Sequence, residues 1–350
     1  MGGILFLGGG STVTIAQRMF EGMNSFALLA IPLYTFAGFT MSKGGISKRL
    51  MDFCYSIVGH IYGGLAHVNV LSSMIFAGIS GSAVADTAGV SGMFMPEMIR
   101  KGYSKNFTVA VTAISSTIGI IIPPSIPMVV IAGICGISTG KLFLGGIIPG
   151  ILCGLAQMIV SYFLAKKEGV PKEPGHFTIG PVLHGLWESW PALLMPIIIV
   201  GTITMGIVSP TEAGVIAVVY GLFAGGIIYR ELKWEDIKFA FAETVRTSGR
   251  IFIVIGAAKL YTVMLTTAGF DKWVAKTMLG FSTNPTVILI MILLIFFIVT
   301  MFMESIATLT LFMPILYPIA LGVGINPIVL SVLITVVIGI GPVSYTHLTL

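Results

Sequence analysis

Charge is what this sequence has least of. Only 9% of its 350 residues are Asp, Glu, Lys or Arg, against about 25% in soluble domains. Apolar residues make up 56%, and mean hydropathy is +1.01. The loops between the apolar runs are too short to hide a soluble domain, so the chain reads as a polytopic protein of the lipid bilayer. Its net charge of +5 then bears on orientation in the membrane, and no nucleic-acid partner is expected. Cysteine is scarce as well. Cys54, Cys135 and Cys153 stand in apolar runs without metal-type spacing and read as packing residues. Also missing are G-x-x-x-x-G-K-[ST], H-E-x-x-H and G-x-G-x-x-G. The chain cannot drive itself with ATP, and neither an enzyme nor a resident cofactor is expected.

What is present is a series of apolar runs, at about 24–42, 107–140, 143–165, 187–208, 211–228, 250–270 and 327–341. Two more, about 66–99 and 285–321, are interrupted near their middles by polar residues. Backbone broken at membrane depth must be buried in protein or line a cavity, which predicts two re-entrant hairpins. The 107–140 run is broken at IIPPSIPM, where Pro123, Pro124 and Pro127 each lack an amide donor. Segments 10–22 and 233–249 are amphipathic and are expected along the membrane surface.

Fourteen of the 19 basic residues fall in the loops 43–49, 100–105, 166–172 and 230–250. Cytoplasmic placement of those loops satisfies the positive-inside rule. The first hairpin then enters from the cytoplasm and the second from the opposite side. The two resemble copies: Phe94-Met95-Pro96 returns as Phe312-Met313-Pro314, and the same offset sets Asp86 on Glu304. Tyr34 and Tyr261, and Ile118-Gly119 and Ile338-Gly339, continue the match. Copies with opposite loop charge are inverted repeats, the plan in which transporters build a midplane site from broken helices.

The chemistry concentrates in two motifs. FAGISGSAVADT, Phe76 to Thr87, puts a carboxylate, two serines and two glycines into apolar surroundings. A carboxylate at bilayer depth costs about 2.5–3.5 kcal/mol even on the lenient insertion scale, so Asp86 and Glu304 should face a cavity or a partner. The break at SSTIGIIIPPSIP leaves carbonyls without amide partners beside hydroxyls, a hard-oxygen set suited to an alkali cation. Nearby helix N-termini suit an anionic substrate group. Ser80, Ser82, Ser116, Thr117, Gly119 and Pro124 are the candidates. Lys259, inside a span, and Glu212, in SPTEAG, read as structural. His60 and His67 lack a third ligand for a metal. Gly78-Ile79-Ser80-Gly81 fits the G-x-S-G of intramembrane serine proteases, but no histidine stands where a general base is needed. A passive ion channel is the other alternative.

FAGISGSAVADTAGVSGMFMPEM, SSTIGIIIPPSIPM, KLFLGGIIPG and SPTEAG, in that order, resemble the large membrane subunit of the tripartite ATP-independent periplasmic (TRAP) transporters. This is the DctM type within the ion-transporter superfamily, and the likeness runs from about Thr14 to Gly341. The resemblance implies an all-α polytopic membrane protein with inverted repeats, two re-entrant hairpins and an elevator mechanism. It implies a sodium-driven symporter of the bacterial inner membrane. A small membrane subunit and a periplasmic solute-binding protein are the implied partners, the latter delivering an organic acid such as a C4-dicarboxylate or sialic acid. Sodium, the coupling ion, would lie at Ser80, Ser82, Gly119, Ile122 and Pro124, with Glu304 as the acidic residue of the second hairpin. Substrate would lie at Gly81, Asp86, Ser116, Thr117 and Ser305.

The expected organisation is a first inverted repeat over 1–165, with hairpin 66–99 and broken helix 107–140. A connecting loop and helix follow over 166–210, then a second repeat over 211–341 with hairpin 285–321 and a broken helix from 327. Compared with the family, the first membrane helix looks incomplete. PVSYTHLTL, which replaces the expected Thr-Pro-Pro continuation, looks like translated adapter sequence, so 342–350 reads as a non-native tail. With the second cation cage incomplete, the chain as written is expected not to transport.

Overall fold

Glycine, proline and short polar caps divide the apolar sequence into helices. The structure is a computed structural model that describes residues 12–170 and 177–341. The expected non-native tail and the glycine-rich N-terminal stretch 1–10 lie outside the described residues. Among those described, every regular element is helical. Six helical segments are long and apolar enough to cross a membrane: Phe26–Lys43, Thr139–Lys167, Ile179–Thr204, Pro210–Ile228, Trp234–Thr267 and Ser305–Gly322. The protein is an all-α, multi-pass membrane protein.

Helix α1, Thr12–Met23, leads through a 3-10 turn at Phe26–Leu29 into α2, Ala30–Lys43. Gly45, at φ +77°, turns the chain into α3, Ile46–Val58. Next come α4, Gly64–Ser80, and α5, Ala83–Arg100, which pack against each other as a helical hairpin with only two residues at its tip. Gly81 makes so short a tip possible, because its φ of +62° lies where residues with a Cβ are strained. Ser104 then caps α6, Lys105–Ser116. A 3-10 turn at Thr117–Ile120 follows, and the prolines keep the chain non-helical until α7, Ile126–Cys135. Ser125 binds both sides of this break: its hydroxyl donates to the Ile120 carbonyl at 2.5 Å and accepts from the Met128 amide at 3.3 Å.

The chain continues with α8, Thr139–Lys167, and α9, Ile179–Thr204. Helix α10, Pro210–Phe223, starts at a capping box in which Ser209 and Glu212 satisfy each other's amides, the bland role expected for Glu212. Helix α11, Trp234–Thr267, runs unbroken for 34 residues. Here the structure corrects the division of 233–249 from 250–270. Composition changes along this stretch, but no proline interrupts it, so hydrogen bonding carries the helix through the change in polarity. The stem of Lys259 on α11 lies against Gly22 of α1. Helix α12, Phe270–Phe281, precedes a second hairpin made of α13, Pro285–Thr300, and α14, Ser305–Gly322, and the last described helix is α15, Pro327–Ile340.

Helix α2 packs against α10 and α11, and α3 against α9. The first hairpin rests on α6, α8 and the 3-10 turn, and α15 joins the second hairpin to that same turn. Helix α14 spans from α7 to α11. Both hairpins therefore converge on the break between α6 and α7.

The helix starts also revise the internal correspondence. Ala83 and Ser305 open 18-residue helices, Lys105 and Pro327 open the next pair, and both pairs stand 222 positions apart. The same step takes Pro96 to Pro318 and the cap Ser104 to the cap Asn326. Gly119 maps to Gly341, and a Cβ on either would strike the neighbouring hairpin, at Asp86 Oδ2 or at Thr300 Oγ1. In this register Glu304 matches Ser82, and Asp86 matches Thr308. The motif match at Pro314 is off by four residues, about one helical turn, which keeps nearly the same helix face and so reads alike in sequence.

Candidate functional site

The first hairpin ends at Ser80, Gly81 and Ser82, pressed against the break. The Ile126 amide donates to the Gly81 carbonyl at 3.1 Å. A Cβ on Gly81 would lie 2.5 Å from the Pro124 carbonyl oxygen. Ser80 is fully buried, and its hydroxyl donates to Asp86 Oδ1 in a very short hydrogen bond. Asp86 is itself fully buried, one turn into α5. Its second oxygen, Oδ2, has no hydrogen-bond partner and abuts the Cα of Gly119 in the 3-10 turn. Ser80, Gly81, Asp86, Gly119 and Pro124 thus form one closed cluster. Ile122, between Gly119 and Pro124 in the break, has its side chain against Gly150 of α8.

This cluster supplies a carboxylate, a hydroxyl and the carbonyl edge of a helix break. That is a hard-oxygen set, the kind that holds alkali and alkaline-earth cations rather than soft metals. Among the described residues no three His, Cys, Asp or Glu side chains converge to hold a metal ion. An ionised Asp86 also lacks any ion pair with Arg or Lys among the described residues. Burying such a charge without a counter-charge is costly.

A cavity of about 500 Å³ opens on the other side of the tip. Ser82 and Gly81 line it from the first hairpin, Ser116 and Thr117 from the break, and Glu304 and Ser305 from the second hairpin. The hydroxyl protons of Ser116 and Thr117 are committed to the carbonyls of Thr112 and Ile114, each at 2.7 Å, so toward the cavity these groups can only accept. Ser305 donates to the Ile338 carbonyl at 3.2 Å and ties the second tip to α15. Glu304 caps α14: its Oε2 accepts from the amides of Ile306 at 2.9 Å and Ala307 at 3.1 Å.

All eleven residues singled out from sequence gather around the two tips and the break, in a different partition. Asp86, expected with the substrate, is enclosed in the oxygen cluster and does not line the cavity. Glu304, expected with the cation, lines the cavity. Sequence reasoning missed Thr247 and Arg250, which reach the cavity from α11. Their signal was present, as a basic residue at the edge of an apolar run, but it was absorbed into the count of cytoplasmic charges.

The protease alternative finds no support in this geometry. His67 and Ser80 lie on the same helix, 13 residues or about 20 Å apart along its axis. The Ser80 hydroxyl is engaged by Asp86 instead.

Comparison with known proteins agrees with the architecture. The family model described as "Tripartite ATP-independent periplasmic transporter, DctM component" matches residues 2–344. The chain is 37% identical over 313 residues to the sialic acid TRAP transporter large permease protein SiaM of Vibrio cholerae, covering 89% of this chain and 73% of that protein. It is 35% identical over 341 residues to the C4-dicarboxylate TRAP transporter large permease protein DctM of Pseudomonas aeruginosa, covering 97% and 80%. It is 37% identical over 330 residues to the isethionate TRAP transporter permease protein DctMQ of Oleidesulfovibrio alaskensis, covering 94% of this chain but spanning about half, 52%, of that relative.

Proposed function

Because the chain belongs to the DctM component family of the tripartite ATP-independent periplasmic transporters, a family of permeases and not of enzymes, we propose that it is the large permease subunit of a sodium-coupled symporter importing an organic acid. It works in the bacterial inner membrane with a small membrane subunit and a periplasmic solute-binding protein that delivers the acid. Sodium occupies the oxygen cluster, and the acid occupies the cavity between the tips. The two hairpins, with α6, α7 and α15, move as an elevator against α2, α10 and α11, and the repeats are inserted in opposite directions.

One observation carries this reading: Asp86 is fully buried with Oδ2 unpartnered, four residues beyond Ser82 of a tip that lines a cavity. A cation at Oδ2 supplies the missing counter-charge. It also fixes Ser80, which holds the other oxygen. Ser82 is two residues further along the same short tip, so ordering the cluster orders the cavity wall. Coupling between two ligands is a free energy shared in this way, typically about 1–3 kcal/mol. The hydroxyls of Ser116 and Thr117, which toward the cavity can only accept, suit the hydroxyl or amide donors of an organic acid's polar body.

The test is uptake in proteoliposomes holding this chain with its small subunit and binding protein, comparing inward sodium and proton gradients. Sodium-driven uptake is expected in the wild type, with at least a tenfold loss for Asp86→Asn and a smaller loss for Ser82→Ala, while both variants still insert. Wild-type rates in both variants, or drive by protons alone, would refute the assignment.

A further inference from the structure

Among the described residues the cavity is lined by a single cationic side chain, Arg250. It comes from α11, not from either hairpin. Thr247, Arg250, Ile251 and Val254 line the cavity together, at the i, i+3, i+4 and i+7 positions of one helix face. The alternative is a membrane-boundary arginine that only anchors the helix at the headgroups, and the apolar stretch of α11 does begin at Ile251. Two observations argue against it. The face that carries Arg250, an exposed residue, lines the same cavity as Ser305 and Glu304. The neighbouring turn also behaves differently: Arg246 is engaged by Glu243 at 2.6 Å, whereas Arg250 makes no ion pair among the described residues.

From this we infer that Arg250 is the anion receptor of the cavity, holding the charged head of the transported acid while the hydroxyls of the tips take its polar body. The inference rests on the proposed transport function and deepens it. A guanidinium presents a planar fork that fits a carboxylate or a sulfonate through two parallel hydrogen bonds. Glu304 lines the same cavity from the second tip, where its carboxyl oxygen occupies the amides that open α14. Because α11 belongs to the stationary helices in the proposed mechanism, this contact is made in the state seen here and broken when the hairpins move.

The experiment measures binding of radiolabelled succinate, N-acetylneuraminate and isethionate, in sodium, to the purified complex of this chain with its small subunit. Competition by the uncharged amide of whichever acid binds gives the discrimination for charge. Arg250→Gln is expected to weaken binding of the acid by about tenfold to a hundredfold, the usual worth of a charged hydrogen bond, and to abolish the preference for acid over amide. Arg250→Lys, which keeps the charge and loses the fork, should fall between. Arg246→Gln should bind as the wild type does, and sodium should stabilise all the variants equally against heat. Undiminished binding by Arg250→Gln, or an equal loss in Arg246→Gln, overturns the inference while leaving the transport function standing. A wild-type complex that binds none of the three acids overturns the functional reading and this inference with it.

Discussion

Replacing Gly119 by alanine tests the oxygen cluster through the sign of its effect. The backbone of Gly119 does not adopt a positive φ, so alanine is conformationally acceptable there. In a helical setting alanine is favoured over glycine by about 1 kcal/mol. If nothing of importance faced this carbon, Gly119→Ala would stabilise the protein. The structure gives the opposite sign. The added Cβ would overlap Asp86 Oδ2 and stand 3.4 Å from the Ala83 amide nitrogen. Asp86 cannot simply swing away, because Ser80 holds its other oxygen and the residue is fully enclosed. Overpacking of this kind costs about 1–3 kcal/mol. After the propensity gain, about 2 kcal/mol at most remains against the arrangement in which Oδ2 meets a cation, roughly thirtyfold in the equilibrium. Half-saturating sodium for uptake should rise by up to that factor, and sodium should stabilise the variant less against thermal unfolding. A Gly119→Ala protein that melts higher than the wild type with unchanged sodium dependence would refute the placement of the cation at Asp86.

Two further outcomes follow from the same geometry. Gly81→Ala must adopt the left-handed conformation, at a cost of about 1–2 kcal/mol, and must also push back the Pro124 carbonyl. Both sodium affinity and acid binding should fall together, as titrations of each ligand would reveal. Asn69→Leu removes a buried network in which the Asn69 amide donates to Thr112 Oγ1 and accepts from Ser115, both at 2.9 Å. It should lower stability by about 1–3 kcal/mol in denaturation experiments while leaving half-saturating sodium unchanged, since the network joins α4 to α6 away from the tip.

Much of this was legible in the sequence because membrane physics leaves few choices. Broken apolar runs at Gly81 and at Pro123-Pro124 could be read directly, since backbone polar groups at that depth must find protein partners. Glu212 was legible for a local reason, its place three residues after a cap serine. What escaped depended on distance in the chain. Nothing near Arg250 in sequence announces that its helix passes the two tips, which lie about 170 residues before it and 54 after it. The same holds for the placement of Asp86 and Glu304: both are lone carboxylates in apolar surroundings, and only packing tells which is enclosed and which lines the cavity. The four-residue slip in the repeat had another origin. Pro314 and Pro318 lie one turn apart, so the proline fits either register while Phe-Met favours the first, and only the helix starts decide between them.

That decision bears on how an anion can be held at all. In the corrected register Ser82 and Glu304 occupy equivalent places just before their helices, yet they leave different surfaces. A helix start offers free amides and a positive end to an anion, and from sequence both tips appeared open to that use. At α14 the offer is already taken, because a carboxyl oxygen of Glu304 sits on the amides of Ile306 and Ala307. A substrate carboxylate approaching the second tip would meet a carboxyl group in place of bare amides. In the proposed function, attraction for the anionic guest would come from elsewhere in the cavity wall, which among the described residues holds one positive side chain, on α11. The two tips are therefore not interchangeable halves of a symmetric clamp. One carries the buried carboxylate behind it and the other presents a capped edge, so the receptor role proposed for Arg250 would turn the anionic end of the guest toward the helix that belongs to neither hairpin.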